Sequence, residues 1–281
     1  MVGNLKPDLP PQIQRVETLE SCPLCKSQWL LPAPVQPQTP FGLVQCGACA
    51  AVFLSPRPVA EAMPAYYDEY HAENKKSARQ EHRAKRHYRR LARYKHKPGG
   101  LLEIGCGEGH FLHIARDHGW QVAGLELSQP RIERAKTMFG LDVIRGDVST
   151  ASFTPESFDA IAMFQLLEHL HDPRAVLQRA HTLLRPGGVL LISTPNVLAY
   201  ARKKRGVDSW CIPRHLVFFS PRTIVQVLET LSFEVLNKSL RLHASLEEHL
   251  GWQPWPCNAF FSNITRNLWT PFGLRVIARK R

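Results

Sequence analysis

Two groups of residues in this chain have the types and spacing to do chemistry. The first is a pair of C-x-x-C motifs, Cys22-Pro23-Leu24-Cys25 and Cys46-Gly47-Ala48-Cys49, with 20 residues between them. A tight turn lets each motif offer two thiolates to one ion, and two motifs complete the tetrahedral sulfur set that suits Zn2+. Pro23 and Gly47 favour such turns. Redox chemistry, the rival use, needs only one motif and a strand–helix–strand setting. Four protein ligands leave no open coordination position, so the ion is expected to be structural. Cys106, Cys211 and Cys257 stand singly and read as small buried apolar residues.

The second group is Glu103-Ile104-Gly105-Cys106-Gly107-Glu108-Gly109, with two acids further on. Glycines without Cβ atoms let the backbone turn tightly and approach a ligand closely. A helix start after them presents free N–H groups. The spacing is G-x-G-x-G, one residue short of the dinucleotide fingerprint G-x-G-x-x-G. Glu126 ends an apolar run 21 residues after Gly105, where its carboxylate can accept from two ribose hydroxyls. Asp147, in Gly146-Asp147-Val148, can accept from an adenine amino group, with Val148 and Leu127 flanking the ring. Both acids also have plain readings, as a strand-end charge and a turn former.

The elements that must carry these residues alternate. Strands are expected at Leu101–Ile104, Gln121–Glu126, Asp142–Arg145, Phe158–Met163 and Val189–Ser193, with helices at His110–His118, Gln129–Phe139 and Arg174–Leu184. This alternation implies a parallel sheet wrapped by helices. A helix at Pro221–Leu231 precedes two apolar runs, Phe233–Leu240 and Gly273–Ala278, read as an antiparallel pair with no clear helix between them. The aromatic-rich stretch 250–272 (Trp252, Trp255, Phe260, Phe261, Trp269, Phe272) is a small packed core, a lid or a membrane-interface contact.

Eleven of the 22 prolines fall in residues 1–64, which excludes a long helix there and marks a small separate module. Residues 65–99 read as a basic helical connector, and 100–281 as the second domain. The 71–97 stretch holds eleven Lys/Arg and two acids, most of the net charge of +12. Tyr88, Leu91, Ala92 and Tyr94 give it a narrow apolar stripe. It is either a solvated helix or a surface for an anionic substrate. With 281 residues and 44% hydrophobic content the chain can bury a core without disulfides. No apolar run reaches the roughly 18 residues of a membrane span, and Met1–Pro11 has no signal-peptide pattern. A cytoplasmic protein is expected.

Residues 100–195 resemble the class I S-adenosylmethionine-dependent methyltransferases. The resemblance rests on five pieces in the family's order: residues 101–109, Gly124-Leu125-Glu126-Leu127-Ser128, Gly146-Asp147-Val148, Phe158-Asp159-Ala160-Ile161 and residues 184–192. It implies a Rossmann-like α/β sheet with a final antiparallel strand. It further implies that Glu103, Gly105, Gly107 and Gly109 surround the methionine part of the cofactor, that Glu126 holds the ribose, and that Asp147 and Val148 hold the adenine. Phe164 and Gln165 then stand at the mouth of the site. Residues 43–70, with Arg214–Pro221, resemble bacterial methyltransferases that carry an N-terminal zinc module and modify sugars and related intermediates. A ribosomal-RNA methyltransferase family also pairs a zinc site with this fold.

A hydroxyl acceptor must lose a proton, and a neutral histidine is the usual base. His215, in Pro213-Arg214-His215, and His169, in Glu168-His169, are the candidates; His171 is a third. His169 also reads as a loop organiser and His171 as an exposed residue. The Asn/Asp-Pro-Pro-Tyr signature of amino methylation is absent after the fourth strand, where Met163-Phe164-Gln165-Leu166 stands. The expected activity is methyl transfer to a hydroxyl of a small molecule, sugar or lipid-linked intermediate, anionic in character. Two other readings stay open. One is an RNA methyltransferase that grips phosphates with the zinc module and the basic stretch, whose interleaved Arg and Tyr suit bases. The other is a zinc-module binding protein with an inactive domain. A peripheral membrane contact also stays open.

Overall fold

The computed structural model describes residues 2–4, 13–33, 36–37, 39–73, 78–198, 210–249 and 273–281. The aromatic stretch 250–272 lies outside them. The proline-rich start forms six short strands: β1 (Val2–Asn4), β2 (Arg15–Glu17), β3 (Leu30–Pro32), β4 (Leu43–Cys46), β5 (Val52–Leu54) and β6 (Arg57–Pro58). β1, β2 and β6 make one antiparallel sheet, and β3, β4 and β5 belong to another.

Two helices follow, α1 (Met63–Glu73) and α2 (Ala78–Tyr94). The basic stretch is helical, as expected, with one face exposed and the other packed. Ala84 and Leu91 are fully covered, with Tyr88 packed beside them and Tyr94 left exposed. The buried stripe runs through Ala84, a residue too small for its burial to be anticipated from pattern.

The alternating region folds as expected, through β7 (Gly100–Ile104), α3 (His110–Asp117), β8 (Gln121–Glu126), α4 (Gln129–Phe139), β9 (Val143–Arg145), β10 (Phe158–Phe164), α5 (Pro173–Leu183) and β11 (Leu184–Pro195). β11 is longer than expected, because Arg185-Pro186-Gly187-Gly188 joins the strand. Then come β12 (Val217–Phe218), α6 (Pro221–Thr230), β13 (Phe233–Val235), α7 (Lys238–His249) and β14 (Gly273–Lys280). The apolar run Phe233–Leu240 is not one strand: it breaks after Val235, and α7 takes Leu240 and Ala244 into the core.

The main sheet has the order β13-β14-β11-β10-β7-β8-β9. β7 through β11 pair in parallel, and β14 inserts antiparallel against β11, with Leu191 opposite Ile277. β7 and β10 are neighbours across the point where the chain reverses its winding, so a crevice opens at their carboxyl ends. β12 leaves this domain and pairs antiparallel with β5, setting Val217 opposite Phe53. The N-terminal module and the second domain thus share a sheet and one continuous apolar core. The boundary expected at residue 64 divides the chain in sequence and not in packing.

Candidate functional site

The crevice holds a cavity of about 650 Å3. The glycine turn forms one wall. Gly105 has φ +72°, and a Cβ there would meet the Leu166 side chain at 2.9 Å. Gly109 has φ +77° and a Cβ would meet Leu141 at 2.5 Å. Side chains at either place would disfavour the backbone and fill the space beside the ligand wall. Glu103 lies beneath the turn, 4% exposed, with Oε2 lacking any partner. Burial, then the nearby Glu126, pushes its pKa well above the carboxylate range. A cation placed beside such a group would relieve it.

Glu126 is held where β8 ends. Its Oε2 accepts from Gly107 N–H at 2.8 Å, and its Oε1 from Leu127 N–H at 2.9 Å and Ser128 N–H at 3.0 Å. Three donors fix the carboxylate, which also lines the cavity and keeps lone pairs there. Asp147 and Val148 line the same wall. Asp147 Oδ1 also accepts from Ser149 N–H at 2.7 Å, so the residue shapes its turn as well. Val148 is buried, and Leu127 lines the same cavity. Cys106 is buried within the glycine turn.

Phe164 and Gln165 close the far side. Gln165 adopts φ +53°, and its N–H donates to Ser193 O at 2.7 Å. The His87 ring from α2 stacks on Phe164 with centroids 3.8 Å apart. Arg83, Arg86 and Arg90 from α2 and Arg275 from β14 line the same cavity. Among the described residues no carboxylate pairs with any of these four. Burial, and then Arg275 and Arg86, lower Arg90 to about 10. Burial and the same cations hold His87 neutral, at about 3. Arg275 carried no signal in sequence, since only β14's register places it here.

His169 and His215 come together, with ring centroids 4.8 Å apart. His169 follows β10 in a short 3-10 turn, Leu167–His169. His215 lies in the loop before β12. The loop is tied by Leu54 N–H to Leu216 O at 2.8 Å and Leu216 N–H to Glu168 O at 2.6 Å, and beyond β12 Val197 N–H donates to Phe219 O at 2.9 Å. Burial lowers His169 to about 4 and His215 to about 3, so both are neutral at pH 7. The neighbouring Glu168 carboxyl, fully buried, is raised to about 8 by that burial. The structure separates His171 from this pair. Its Nε2 sits 2.8 Å from Pro58 O, so the residue clasps the N-terminal module instead of being exposed.

The four cysteines form a cluster away from the cavity. Their sulfurs all lie within 4.8 Å of one another, with Cys22–Cys49 at 3.6 Å and Cys25–Cys46 at 3.5 Å. A tetrahedral ion with bonds of about 2.3 Å sets sulfurs about 3.8 Å apart, so the set fits zinc. The two turns are alike: Lys26 and Ala50, each four residues after the first cysteine of its pair, both have positive φ, at 63° and 57°.

The profile of a methyltransferase domain matches residues 76–238. The chain belongs to the methyltransferase-domain family. A probable S-adenosylmethionine-dependent methyltransferase of Mycolicibacterium smegmatis is 32% identical over 151 residues, covering 53% of this chain and 56% of that protein. A ubiquinone biosynthesis O-methyltransferase of Xanthomonas campestris is 32% identical over 184 residues, or 60% of this chain and 73% of that protein. The chain spans about half the length of the first of these relatives. Among solved structures, the [4+2]-cyclase SpnF has a TM-score of 0.54 at 19% identity, over 80% of this chain and 97% of that one. A methyltransferase from Archaeoglobus fulgidus has a TM-score of 0.51 at 20% identity, over 71% and 94%. These two establish the fold alone. The matched segment is thus a methyltransferase domain, and the Mycolicibacterium relative is named as one that depends on S-adenosylmethionine. Among the described residues no helix is long and apolar enough to cross a membrane.

Proposed function

We propose that this methyltransferase transfers a methyl group to a hydroxyl of a small anionic acceptor, such as a sugar or lipid-linked intermediate. The observation that carries the reading is the pair of neutral imidazoles, His169 and His215, on the wall of a cavity also lined by unpaired arginines. Bound S-adenosylmethionine supplies an electrophilic methyl on a sulfonium. Glu103 would take its ammonium, Glu126 its ribose, and Asp147, Leu127 and Val148 its adenine. The glycine turn at Gly105, Gly107 and Gly109 lets the backbone approach it, while Phe164 and Gln165 border the reacting end. Aligning the acceptor oxygen with the methyl group supplies much of the acceleration. Arg83, Arg86, Arg90 and Arg275 would hold the acceptor's negative groups in that alignment. His169 and His215 activate its hydroxyl. The name of the Xanthomonas relative, an O-methyltransferase, agrees with this.

Cys22, Cys25, Cys46 and Cys49 would hold one structural Zn2+, which props the sheet of β3, β4 and β5. The arginines of α2 turn into a small cavity, which favours a small acceptor over RNA. A tritiated-methyl transfer screen of total RNA against small-molecule and glycan extracts tests the choice. Label in an anionic hydroxyl compound supports the proposal, and label in one defined nucleotide overturns it.

A further inference from the structure

We propose that Glu168, His169 and His215 form a second metal site, distinct from the cysteine cluster, for a divalent transition-metal cation at the acceptor end of the cavity. One ligand atom from each of the three lies within 4.8 Å of the others. Ligands at about 2.0–2.2 Å from one tetrahedral ion sit about 3.3–3.6 Å apart, so the three side chains would draw in by several tenths of an ångström to hold it.

The hydrogen bonds around the cluster leave lone pairs free where the ion would sit. His169 Nδ1 lies 2.8 Å from Arg214 O, so it carries the proton and donates it to that carbonyl. Its Nε2 is left as a lone pair, 4.0 Å from Glu168 Oε1. His215 donates from one ring nitrogen to the Trp210 carbonyl, and its Nδ1 is buried with no partner. Glu168 is 1% exposed. Thr194 lies beside its carboxylate, yet neither oxygen is held in a formed hydrogen bond. Backbone carbonyls that fix imidazole tautomers are the outer partners commonly found behind metal-bound histidines. Buried polar atoms without partners call for an explanation, and here three of them, two on Glu168 and one on His215, meet in one cluster. Here three ligand side chains converge on one point, from two loops that β10 and β12 hold.

Two imidazoles and a carboxylate suit Zn2+, Mn2+, Fe2+ or Co2+ better than Mg2+ or Ca2+, which prefer all-oxygen sets. Three ligands leave a position open, and His169 and His215 both line the cavity. The cation's place in catalysis rests on the hydroxyl-acceptor reading. An acceptor oxygen bound at the open position becomes more acidic. Its O–H proton passes to solvent water, the O–CH3 bond forms, and the S–CH3 bond breaks to leave a neutral thioether. The imidazoles then serve as ligands and not as the base.

The test uses the full chain with one equivalent of zinc already bound, so that the cysteine cluster is filled. Mn2+ and Co2+ are titrated separately, without cofactor or acceptor. Mn2+ uptake is read from loss of its free six-line resonance, and Co2+ uptake from its visible ligand-field bands. We expect one further ion per chain, bound at least tenfold more weakly by Glu168→Gln and by His215→Gln, with melting temperatures recorded to confirm folding. If one of these variants does not fold, His169→Gln replaces it. No uptake of either ion by the wild type, or uptake untouched by the folded variants, overturns the site. Hydroxyl methylation that survives removal of this ion, with zinc retained, keeps the proposed function and removes the cation from it. Uptake without any hydroxyl methylation keeps the site and removes the acceptor reading.

Discussion

Replacing Glu126 by Gln tests the cofactor cradle most directly. The carboxylate accepts three backbone N–H groups, from Gly107, Leu127 and Ser128. An amide has one accepting oxygen. If that oxygen keeps the Leu127 and Ser128 donors, the new NH2 group must face the Gly107 N–H, donor against donor. The reverse placement is worse, since it strands two donors. A lost hydrogen bond to a charged acceptor costs about 1.5–3 kcal/mol, and the two survivors weaken to neutral strength. A total of about 3 kcal/mol corresponds to about 6–12 °C in melting temperature for a chain of this size. On the proposed function, the same substitution removes the charged partner of the ribose hydroxyls. Affinity for S-adenosylmethionine should then fall about tenfold to hundredfold. Differential scanning fluorimetry of the ligand-free protein and titration calorimetry with the cofactor read the two effects separately. A variant that melts within 2 °C of the wild type, a limit set well below the roughly 6 °C expected, and binds the cofactor equally would refute the reasoning.

Other expectations follow from the same geometry. Protein purified without an affinity tag should carry one zinc in the cysteine cluster, and stripping it should lower both stability and turnover, because the loop bearing His215 hangs on β5; elemental analysis beside activity checks this. Arg90→Ala and Arg275→Ala should each raise KM for an anionic acceptor about tenfold, as loss of a charged hydrogen bond implies, while cofactor affinity stays level in calorimetry. RNA binding should be weak and vanish near physiological salt; six phosphate contacts would instead give a log–log salt slope near −4, which filter binding detects. His87 is neutral in the fold, at about 3 against an ordinary 6.5. Its contribution is complete above pH 6.5 and is lost as pH falls towards 3, by about 1 kcal/mol at pH 5 after allowance for partial exposure. His87→Phe should therefore melt less steeply with acid than the wild type over pH 7 to 5.

Much of the site was legible because its residues are local in sequence. Glycines with positive φ, an acid at the end of β8 and paired cysteines each announce their geometry within a few positions. The alternation of strands and helices carried the parallel sheet but not its strand order, and the antiparallel last strand came from the apolar runs together with the resemblance. What escaped was set by packing. α7 was missed because Phe233–Leu240 reads as one apolar run, and only the structure shows the break after Val235. β12 has two residues and no period to detect. Glu168 was read with His169 as a loop feature, since its buried, unpartnered state appears only when His215, 47 positions on, folds against it. The role of α2 was ambiguous for the same reason: its charge was plain, but which face it turns to the cavity depends on α3 and Phe164.

The pairing of β12 with β5 has a consequence for synthesis. Val52-Phe53-Leu54 is fully buried in the finished protein, and its far edge is covered by Val217 and Phe218. These emerge about 160 residues after β5 does. At roughly 5–20 residues per second that is a delay of about 8–30 s. Throughout it the nascent chain presents an apolar strand with an open edge, the kind that pairs with other chains. Among the described residues β4 is already joined to β5, and an ion held by the cysteine cluster beside it would be a second early cover. Metal capture during translation would thus keep the growing chain from aggregating, and zinc starvation should show first as insoluble nascent protein, before any loss of activity in molecules already made.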